Sequence, residues 1–466
     1  MPVVMITIVM PTAMIAKKLA NVATCIRVCG FRKLFTICPV ARSSWEPPKS
    51  VRIVPRSRIT ATSPNCCEPR MTDSARRMAP FYPQVRRRCS HVRQPWCTMG
   101  AVDRRTFLRT AAATGMACAL RLPSLGERLP SGGRKDPPMG RRKLYIWNGI
   151  DRRASEKDLK ARYGILKKRG LDGVFLSGGL DDREFDVLKT LGIEIHTWMW
   201  TTNRGDAWIR EHHPDWYMVS RTGKSCFDKP PYVDYYRWVS PVLPGVRRYL
   251  VERVGELAAH PAVDGVHLDY VRYPDVILPR ALWKDYGLDQ TEELPDYDFC
   301  YSEHTRRAFR EVDGRDPLEI EDPAHDQPWL HFRYDSVTRL VGELAKEARR
   351  HGKKITAAVF PTPNLARKIC RQDWDKWPLD FVCPMIYHSF YEETVDWIGE
   401  AVLEDIRAVE YPVVAGLYMP AFRSLAEFEQ GVRLAFRRGA AGVSLFGGVD
   451  DAHWEVADRV RCEFSA

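Results

Sequence analysis

The strongest indication of the fold of this chain is the sequence Val263-Asp264-Gly265-Val266-His267-Leu268-Asp269-Tyr270-Val271-Arg272-Tyr273-Pro274. It begins as a short apolar strand and ends in acidic, aromatic and basic side chains. Alternate residues of a strand share a face, so Val266 and Leu268 should point to one side and His267 and Asp269 to the other. Asp269 is then predicted to stand at the carboxyl end of a buried strand, where parallel α/β folds assemble their active sites. The alternative is an aspartate that only caps the following turn or pairs with a nearby arginine.

Outward from this stretch, the same strand-and-helix unit recurs. Eight apolar runs are typical of strands: Lys143–Trp147, Gly173–Leu176, Ile193–Trp200, Gly265–Asp269, Lys354–Phe360, Phe381–Tyr387, Pro412–Leu417 and Gly442–Phe446. Helical patterns follow most of them: Ser155–Arg169, Asp182–Leu191, Pro244–Ala259, Trp329–His351, Glu393–Val409 and Ser424–Arg438. These units predict an α/β fold, the (β/α)8 TIM barrel, in residues 141–466.

Two features refine this prediction. Long insertions are expected after the third strand (201–243) and the fourth strand (273–327); the second insertion either walls the cleft or is a solvated excursion. An open, doubly wound sheet is the alternative fold. However, no glycine fingerprint of a dinucleotide or phosphate loop follows any strand, which favours the barrel.

The positive charge lies in one part of the chain. The formal net charge is +12, but residues 1–98 carry 17 Lys and Arg against three acidic residues, which leaves 54 basic and 56 acidic residues in 99–466. The predicted barrel therefore has no excess of basic residues with which to bind nucleic acid. We expect no nucleic-acid partner.

The segment before the barrel resembles an export address. Residues 99–122 contain Arg104-Arg105-Thr106-Phe107-Leu108 and then a weakly apolar run, a pattern typical of a twin-arginine signal peptide. Such signals act at an N-terminus, so we expect translation to start at Met99 and residues 1–98 to be untranslated or a disordered leader. Residues 123–140 are expected to be a linker. The protein would then be periplasmic or secreted, with no stable membrane span and Cys118 as a weak candidate for a lipid anchor.

Polar and aromatic residues follow several predicted strands and should meet at one rim of the barrel. Flat aromatic faces suit the CH faces of pyranose rings, so these side chains are typical of a sugar site. The alternative is that several are core residues. The candidate substrate-binding residues are Asn148, Trp198, Trp200, Arg272, Tyr273, Tyr387 and His388.

Several segments resemble the bacterial glycosyl-hydrolase-like TIM-barrel proteins, often described as family 10 glycosylhydrolases. They are His213-Pro214-Asp215-Trp216, Trp238-Val239-Ser240-Pro241, the stretch from Asp264 to Pro274, and Asp380-Phe381-Val382-Cys383-Pro384-Met385-Ile386-Tyr387. The resemblance implies a TIM barrel that cleaves glycosidic bonds of bacterial glycans, with Asp269 as general acid or base. It departs from chitinase-like barrels, which have a Glu where Val271 stands here, and from retaining glycosidases with a Glu after strand seven.

A second carboxylate is expected, because glycoside cleavage usually uses two. Asp450 and Glu392, which follow the eighth and sixth strands, are the catalytic candidates beside Asp269. The missing acid after strand seven favours an inverting or a substrate-assisted reaction, and inversion would separate the carboxyl groups by roughly 6.5–9.5 Å. Arg272 is expected to keep Asp269 ionised or to contact substrate, and His267 to hydrogen-bond Asp269.

No cofactor and no metal are expected. His196, His212 and His213 lack the spacing of zinc ligands, and no Gly-x-Ser-x-Gly elbow occurs. The expected partner is a polysaccharide or oligosaccharide, and the sequence leaves the oligomeric state open. The alternative function is a non-catalytic carbohydrate-binding TIM barrel. A lyase or deacetylase would need a metal site or a Tyr/Lys base that the sequence does not reveal.

Overall fold

A computed structural model describes residues 140–465 of the chain. Within this part, eight parallel strands form one sheet in the order β6-β5-β4-β3-β2-β1-β8-β7. The strands are β1 (Lys143–Gly149), β2 (Gly173–Ser177), β3 (Glu194–Trp200), β4 (Gly265–Asp269), β5 (Lys354–Val359), β6 (Phe381–Pro384), β7 (Val414–Tyr418) and β8 (Gly442–Phe446). Two isolated parallel bridges, Val382 with Val413 and Met385 with Gly416, bring β6 beside β7 and nearly close the sheet. The predicted (β/α)8 barrel is confirmed, and the doubly wound alternative is wrong.

Helices separate the strands and pack outside them. They are α1 (Glu156–Lys168), α2 (Asp182–Thr190), α3 (Ala207–His212), α4 (Pro244–Ala258), α5 (Trp283–Tyr286), α6 (Glu303–Asp313), α7 (Gln327–Arg350), α8 (Pro363–Cys370), α9 (Trp397–Ala408), α10 (Leu425–Arg437) and α11 (Asp451–Glu463). Local chemistry explains where several begin. Ser155 caps α1 in a capping box with Asp158, and Ser424 caps α10, because their hydroxyls accept the otherwise unpaired backbone N–H groups.

The apolar core has two layers. Outward side chains of the strands, such as Val266 and Leu268, pack with Leu250 and Val254 of α4 and Leu340 of α7. Inward side chains fill the barrel with aromatic rings, among them Tyr145, Trp147 and Phe175. The fourth strand thus has the alternation that its sequence predicts.

Residues 273–327, between β4 and α7, are folded onto the barrel. Leu278 and Leu282 pack against Tyr387, Phe390 and Tyr418, which stand at or beyond the ends of β6 and β7. The first part of this segment therefore packs at the carboxyl ends of the strands.

A buried ion network fixes the same segment from the other side. Asp298 is 2% exposed, and its carboxylate accepts from Arg333 of α7 at 2.5 Å and from the Tyr301 hydroxyl at 2.5 Å. Arg371, just after α8, pairs with Glu293 and lies 3.8 Å from Asp298. Two arginines of the barrel therefore hold two acids of the segment.

The predictions for residues 1–98, the signal peptide at 99–122 with Cys118, and all but the last residue of the linker at 123–140 fall outside the described residues. Among the residues that the structure describes, no helix is both long enough and apolar enough to cross a membrane.

Candidate active site

Asp269 is the last residue of β4 and lies at the carboxyl end of the barrel. Its carboxylate is held at both oxygens: the Trp198 indole N–H donates to Oδ2 at 3.0 Å, and the Tyr270 backbone N–H donates to Oδ1 at 2.6 Å. The side chain is 8% exposed. Trp198 and Asp269 were both predicted from strand ends, and the structure brings them into direct contact.

Burial dominates the acidity of this carboxyl group. Loss of water contact raises the pKa of Asp269 from 3.8 to about 6, and the two hydrogen bonds and the charge of Arg272 oppose that shift. A carboxyl group with a pKa near 6 still carries a proton in a large fraction of molecules at weakly acidic pH. It can therefore donate that proton to a leaving group.

The turn after β4 is fixed by Thr201 and Thr202. Their backbone N–H groups donate to the carbonyls of Asp269 at 2.8 Å and Tyr270 at 3.0 Å, and the Thr202 hydroxyl also contacts the Tyr270 carbonyl. Tyr270 has a φ of 49°, in the left-handed region that a residue with a Cβ rarely adopts. Such a conformation costs on the order of 1–3 kcal/mol and persists only where the surroundings impose it.

Because of this turn, the side chains of Arg272 and Tyr273 lie away from the rim. The Arg272 guanidinium is 3% exposed, pairs with Asp275 at 3.0 Å, and lies against the rings of Trp238 and Phe360. Tyr273 is 1% exposed, and its hydroxyl lies 3.0 Å from that of Ser336 on α7. In the described part of the chain, no hydrogen bond joins Arg272 to Asp269, so its effect on that carboxyl group is electrostatic and at a distance.

His267 lines the barrel interior, as expected, but the predicted hydrogen bond to Asp269 is wrong. Its Nε2 accepts from the Trp147 indole at 3.0 Å, and its Nδ1 lies 2.8 Å from the Thr356 hydroxyl. The ring also stacks on Phe175 at 3.8 Å. Both ring nitrogens are thus engaged one layer below Asp269.

Aromatic rings surround the carboxylate on the barrel side. Trp198 meets Phe446 of β8 edge to face at 6.3 Å, and Trp200, which pairs in register with Asp269, lies 4.7 Å from the Tyr270 ring. Tyr387 stacks on Phe446 at 6.1 Å, so it too reaches this rim. Trp198 and Trp200 are partly exposed and remain candidates for sugar contact, whereas Tyr387 is 5% exposed and supports the rim from within.

Two other predicted residues point elsewhere. Asn148 alternates with the inward Trp147, and its amide lies 3.5 Å from the hydroxyl of Tyr163 on α1, outside the barrel. His388 is buried beside Phe422, and burial lowers its pKa. Trp147 was not among the predicted site residues, although alternation from Tyr145 would have placed it inside the barrel.

The two candidate second carboxylates are exposed and already have partners. Asp450 is the N-cap of α11: its Oδ1 accepts from the His453 backbone at 3.0 Å, and hydrogen bonding lowers its pKa. Glu392 forms an ion pair with Arg280 of the 273–327 segment at 3.3 Å. Neither shares a hydrogen-bond partner with Asp269 in residues 140–465.

A cavity of about 520 Å³ lies at the other end of the barrel. Its lining includes Lys189, Glu194, Asp264 and Lys354, which stand at or before the first residues of β3, β4 and β5. It is therefore separated from Asp269 by the length of the strands. No group of three or more His, Cys, Asp or Glu side chains in the described residues could hold a metal ion.

The fold and the buried acid at its rim define a glycoside hydrolase-like TIM barrel. The family model of glycosyl hydrolase-like 10 matches residues 185–422, more than half of the chain, and the chain belongs to this family. No curated protein matches the chain.

Several solved structures resemble the chain at low identity. The glycoside hydrolase domain of PgaB (BpsB) from Bordetella bronchiseptica is 14% identical, with a TM-score of 0.48 over 69% of this chain and 98% of that one. The β-amylase catalytic domain from Paenibacillus polymyxa is 12% identical, with a TM-score of 0.48 over 68% and 96%. The C-terminal domain of a putative chitinase from Desulfitobacterium hafniense is 11% identical, with a TM-score of 0.43 over 70% and 100%.

Proposed function

We propose that this chain is an exported glycoside hydrolase that cleaves glycosidic bonds of a polysaccharide, with Asp269 as its general acid. One observation carries the proposal: a buried carboxyl group at the end of β4, fixed by Trp198, has a pKa of about 6. Protonation of the leaving oxygen requires an acid that still carries its proton. At a pH near 6, an ordinary surface aspartic acid has already lost its proton.

The aromatic rim supports a sugar substrate. Trp198 and Trp200 have flat apolar faces, are partly exposed and lie beside the carboxylate, and indole groups can also hydrogen-bond hydroxyls at their edges. A pyranose offers both kinds of surface. Arg272 and Tyr273 act on this site indirectly, since the ion pair of Arg272 with Asp275 supports the turn that carries Asp269.

The second catalytic group is assigned by comparison of two variants. Asp450→Asn keeps a helix N-cap oxygen and removes only its charge, and Glu392→Gln removes an exposed ion pair, so each variant is expected to fold. Loss of activity in one of them assigns the base of an inverting reaction. Full activity in both, on a polymer that carries N-acetyl groups, leaves the acetamido group of the substrate as the internal nucleophile.

The decisive experiment compares the full chain with Asp269→Asn on three polymers: peptide-free peptidoglycan strands, chitosan and hydroxyethyl cellulose. Release of reducing ends by the wild type that falls roughly 10²-fold or more in the variant is expected for loss of a general acid. The polymer that is cleaved names the substrate class.

The carbohydrate-binding barrel is the second candidate, because the aromatic rim would serve binding alone. It predicts that both proteins bind one polymer equally and that neither releases reducing ends. That result would overturn the hydrolase proposal.

A further inference from the structure

A second aromatic surface stands outside the barrel rim, on the segment between β3 and α4. We call it the aromatic ledge and define it by five residues: Trp208, His212, His213, Trp216 and Tyr249. Trp208 lies parallel to Tyr249 at 5.5 Å and 7°, and His213 is stacked on Trp216 at 3.9 Å and 9°. The five rings thus form one continuous patch.

The ledge is open to solvent. Trp208 is 47% exposed, which is high for a side chain that usually gains more from burial. The indole N–H of Trp208 has no protein acceptor among residues 140–465, so it is available to a ligand. Gly245 allows this arrangement, since a Cβ there would stand 3.0 Å from the Trp216 ring.

Arg204 connects the ledge to the candidate active site. Its guanidinium donates to the Trp200 carbonyl at 2.8 Å, lies 5.7 Å from the centre of the Tyr249 ring, and is held by both oxygens of Asp206. Trp200 in turn contacts Tyr270, the neighbour of Asp269. A chain of contacts through Trp200 and the largely buried Arg204 therefore connects the ledge to the turn that carries Asp269.

We propose that the ledge binds a distal stretch of the same polysaccharide whose scissile bond lies at Asp269. The expected ligand is an extended chain of β-linked pyranoses, because such chains present flat CH faces that stack on rings, with hydroxyl edges that meet indole N–H donors. This inference rests on the proposed function, the cleavage of a polysaccharide at Asp269. It adds that the protein prefers long polymers to short oligosaccharides.

Binding can be measured apart from hydrolysis. In the full chain carrying Asp269→Asn, affinity electrophoresis with chitosan, peptide-free peptidoglycan strands and hydroxyethyl cellulose gives a dissociation constant for each polymer. Trp208→Ala is expected to weaken the binding of one polymer roughly five- to tenfold, the value of one aromatic stacking contact. Trp208→Phe keeps a ring and should retain most of the affinity.

The matched control is Ile165→Ala on α1, which removes an apolar side chain that is 50% exposed and distant in sequence from the ledge. Its dissociation constant for each polymer should equal that of the Asp269→Asn protein. Trp208→Gln, a polar replacement at a position that is 47% exposed, is the second variant if Trp208→Ala fails to fold, and it should weaken binding to the same extent. The proposal that the ledge binds polysaccharide is overturned if Trp208→Ala binds every polymer as tightly as the Asp269→Asn protein that carries Trp208. It is also overturned if neither protein binds any of the three polymers.

The two proposals fail in different ways. Binding that depends on Trp208, without release of reducing ends by the wild type, overturns hydrolysis and leaves the ledge intact. Release that depends on Asp269, with the same KM for polymer in the wild type and Trp208→Ala, overturns the ledge alone.

Discussion

At the residue scale, the activity should follow the proton of Asp269. The acid must be protonated to act, and its pKa of about 6 lies well above the usual 3.8 because of burial. We therefore expect kcat/KM to fall about tenfold per pH unit above pH 6. A pH profile on the cleaved polymer checks this, and constant kcat/KM between pH 5 and 8 would show that Asp269 is not the acid.

The same pKa shift has a consequence for stability. The folded state holds the Asp269 proton more tightly than the unfolded chain, so this contribution to the free energy of unfolding is complete below pH 3.8 and is lost as the pH rises through 6. Asp269→Asn cannot ionise. Its stability relative to the wild type should therefore increase by up to about 3 kcal/mol between pH 4 and 7, since each pKa unit is worth 1.36 kcal/mol.

Urea unfolding of both proteins across that pH range measures this difference. Asp450→Asn is a control of opposite sign, because hydrogen bonds lower the pKa of Asp450 and its carboxylate stabilises the fold at higher pH. A stability difference between Asp269→Asn and the wild type that does not change with pH would mean that burial of Asp269 leaves its acidity unchanged.

At the element scale, the segment 273–327 depends on its buried ion network. Asp298→Asn removes the charge that Arg333 and Arg371 face, and removal of one partner of a buried ion pair costs about 3–5 kcal/mol. We expect a lower urea midpoint and faster hydrogen exchange in this segment. Asp322→Asn is the matched control, because its carboxylate is 64% exposed on the same segment. Equal midpoints for the two variants would refute the anchoring role.

Sequence predicted the elements where one local signal dominates. The β4 strand and the starts of α1 and α10 agree with the structure because alternation and serine capping act over a few residues. The sixth strand was predicted to reach Tyr387, but its regular part ends at Pro384; beyond it, single backbone hydrogen bonds from Met385 to Val359 and from Ile386 to Gly416 continue the pairing. Beyond Asp269, alternation fails at the left-handed Tyr270, so Arg272 and Tyr273 were wrongly expected to follow it to the rim.

At the scale of the whole molecule, the β6–β7 seam is the thinnest contact of the barrel. Gly416 of β7 lies against it: a Cβ there would stand 2.8 Å from the Pro384 carbonyl oxygen and 2.9 Å from the Trp147 ring. Gly416→Ala should therefore destabilise the protein by about 1–3 kcal/mol through overpacking.

Gly164→Ala is the control for that change. Gly164 lies in α1, and a Cβ there meets nothing within 4 Å, so alanine should stabilise the helix by about 0.5–1 kcal/mol. Urea midpoints of the two variants should move in opposite directions. If Gly416→Ala is as stable as the wild type, the atoms around Gly416 can move apart to accept a Cβ, and the overpacking argument is wrong.

The candidate site as a whole was only partly predictable. Strand ends named Asp269 and Trp198 because the carboxyl ends of parallel strands converge in any barrel of this type. The side on which Asn148 lies, the partner of Glu392 on another segment and the raised pKa of Asp269 depend on contacts between residues distant in sequence. Those contacts exist only once the chain has folded.

The hydrogen bonds inside the barrel determine how the acid recovers its proton. Trp147 can only donate, so His267 accepts at Nε2 and carries its hydrogen on Nδ1, toward Thr356; below it, His196 faces Glu194 at 3.2 Å. Burial lowers the pKa of His267, which keeps that ring neutral. A neutral His267 has no proton to give to Asp269, so if Asp269 is the proposed acid, we expect it to regain its proton from solvent at the mouth of the barrel.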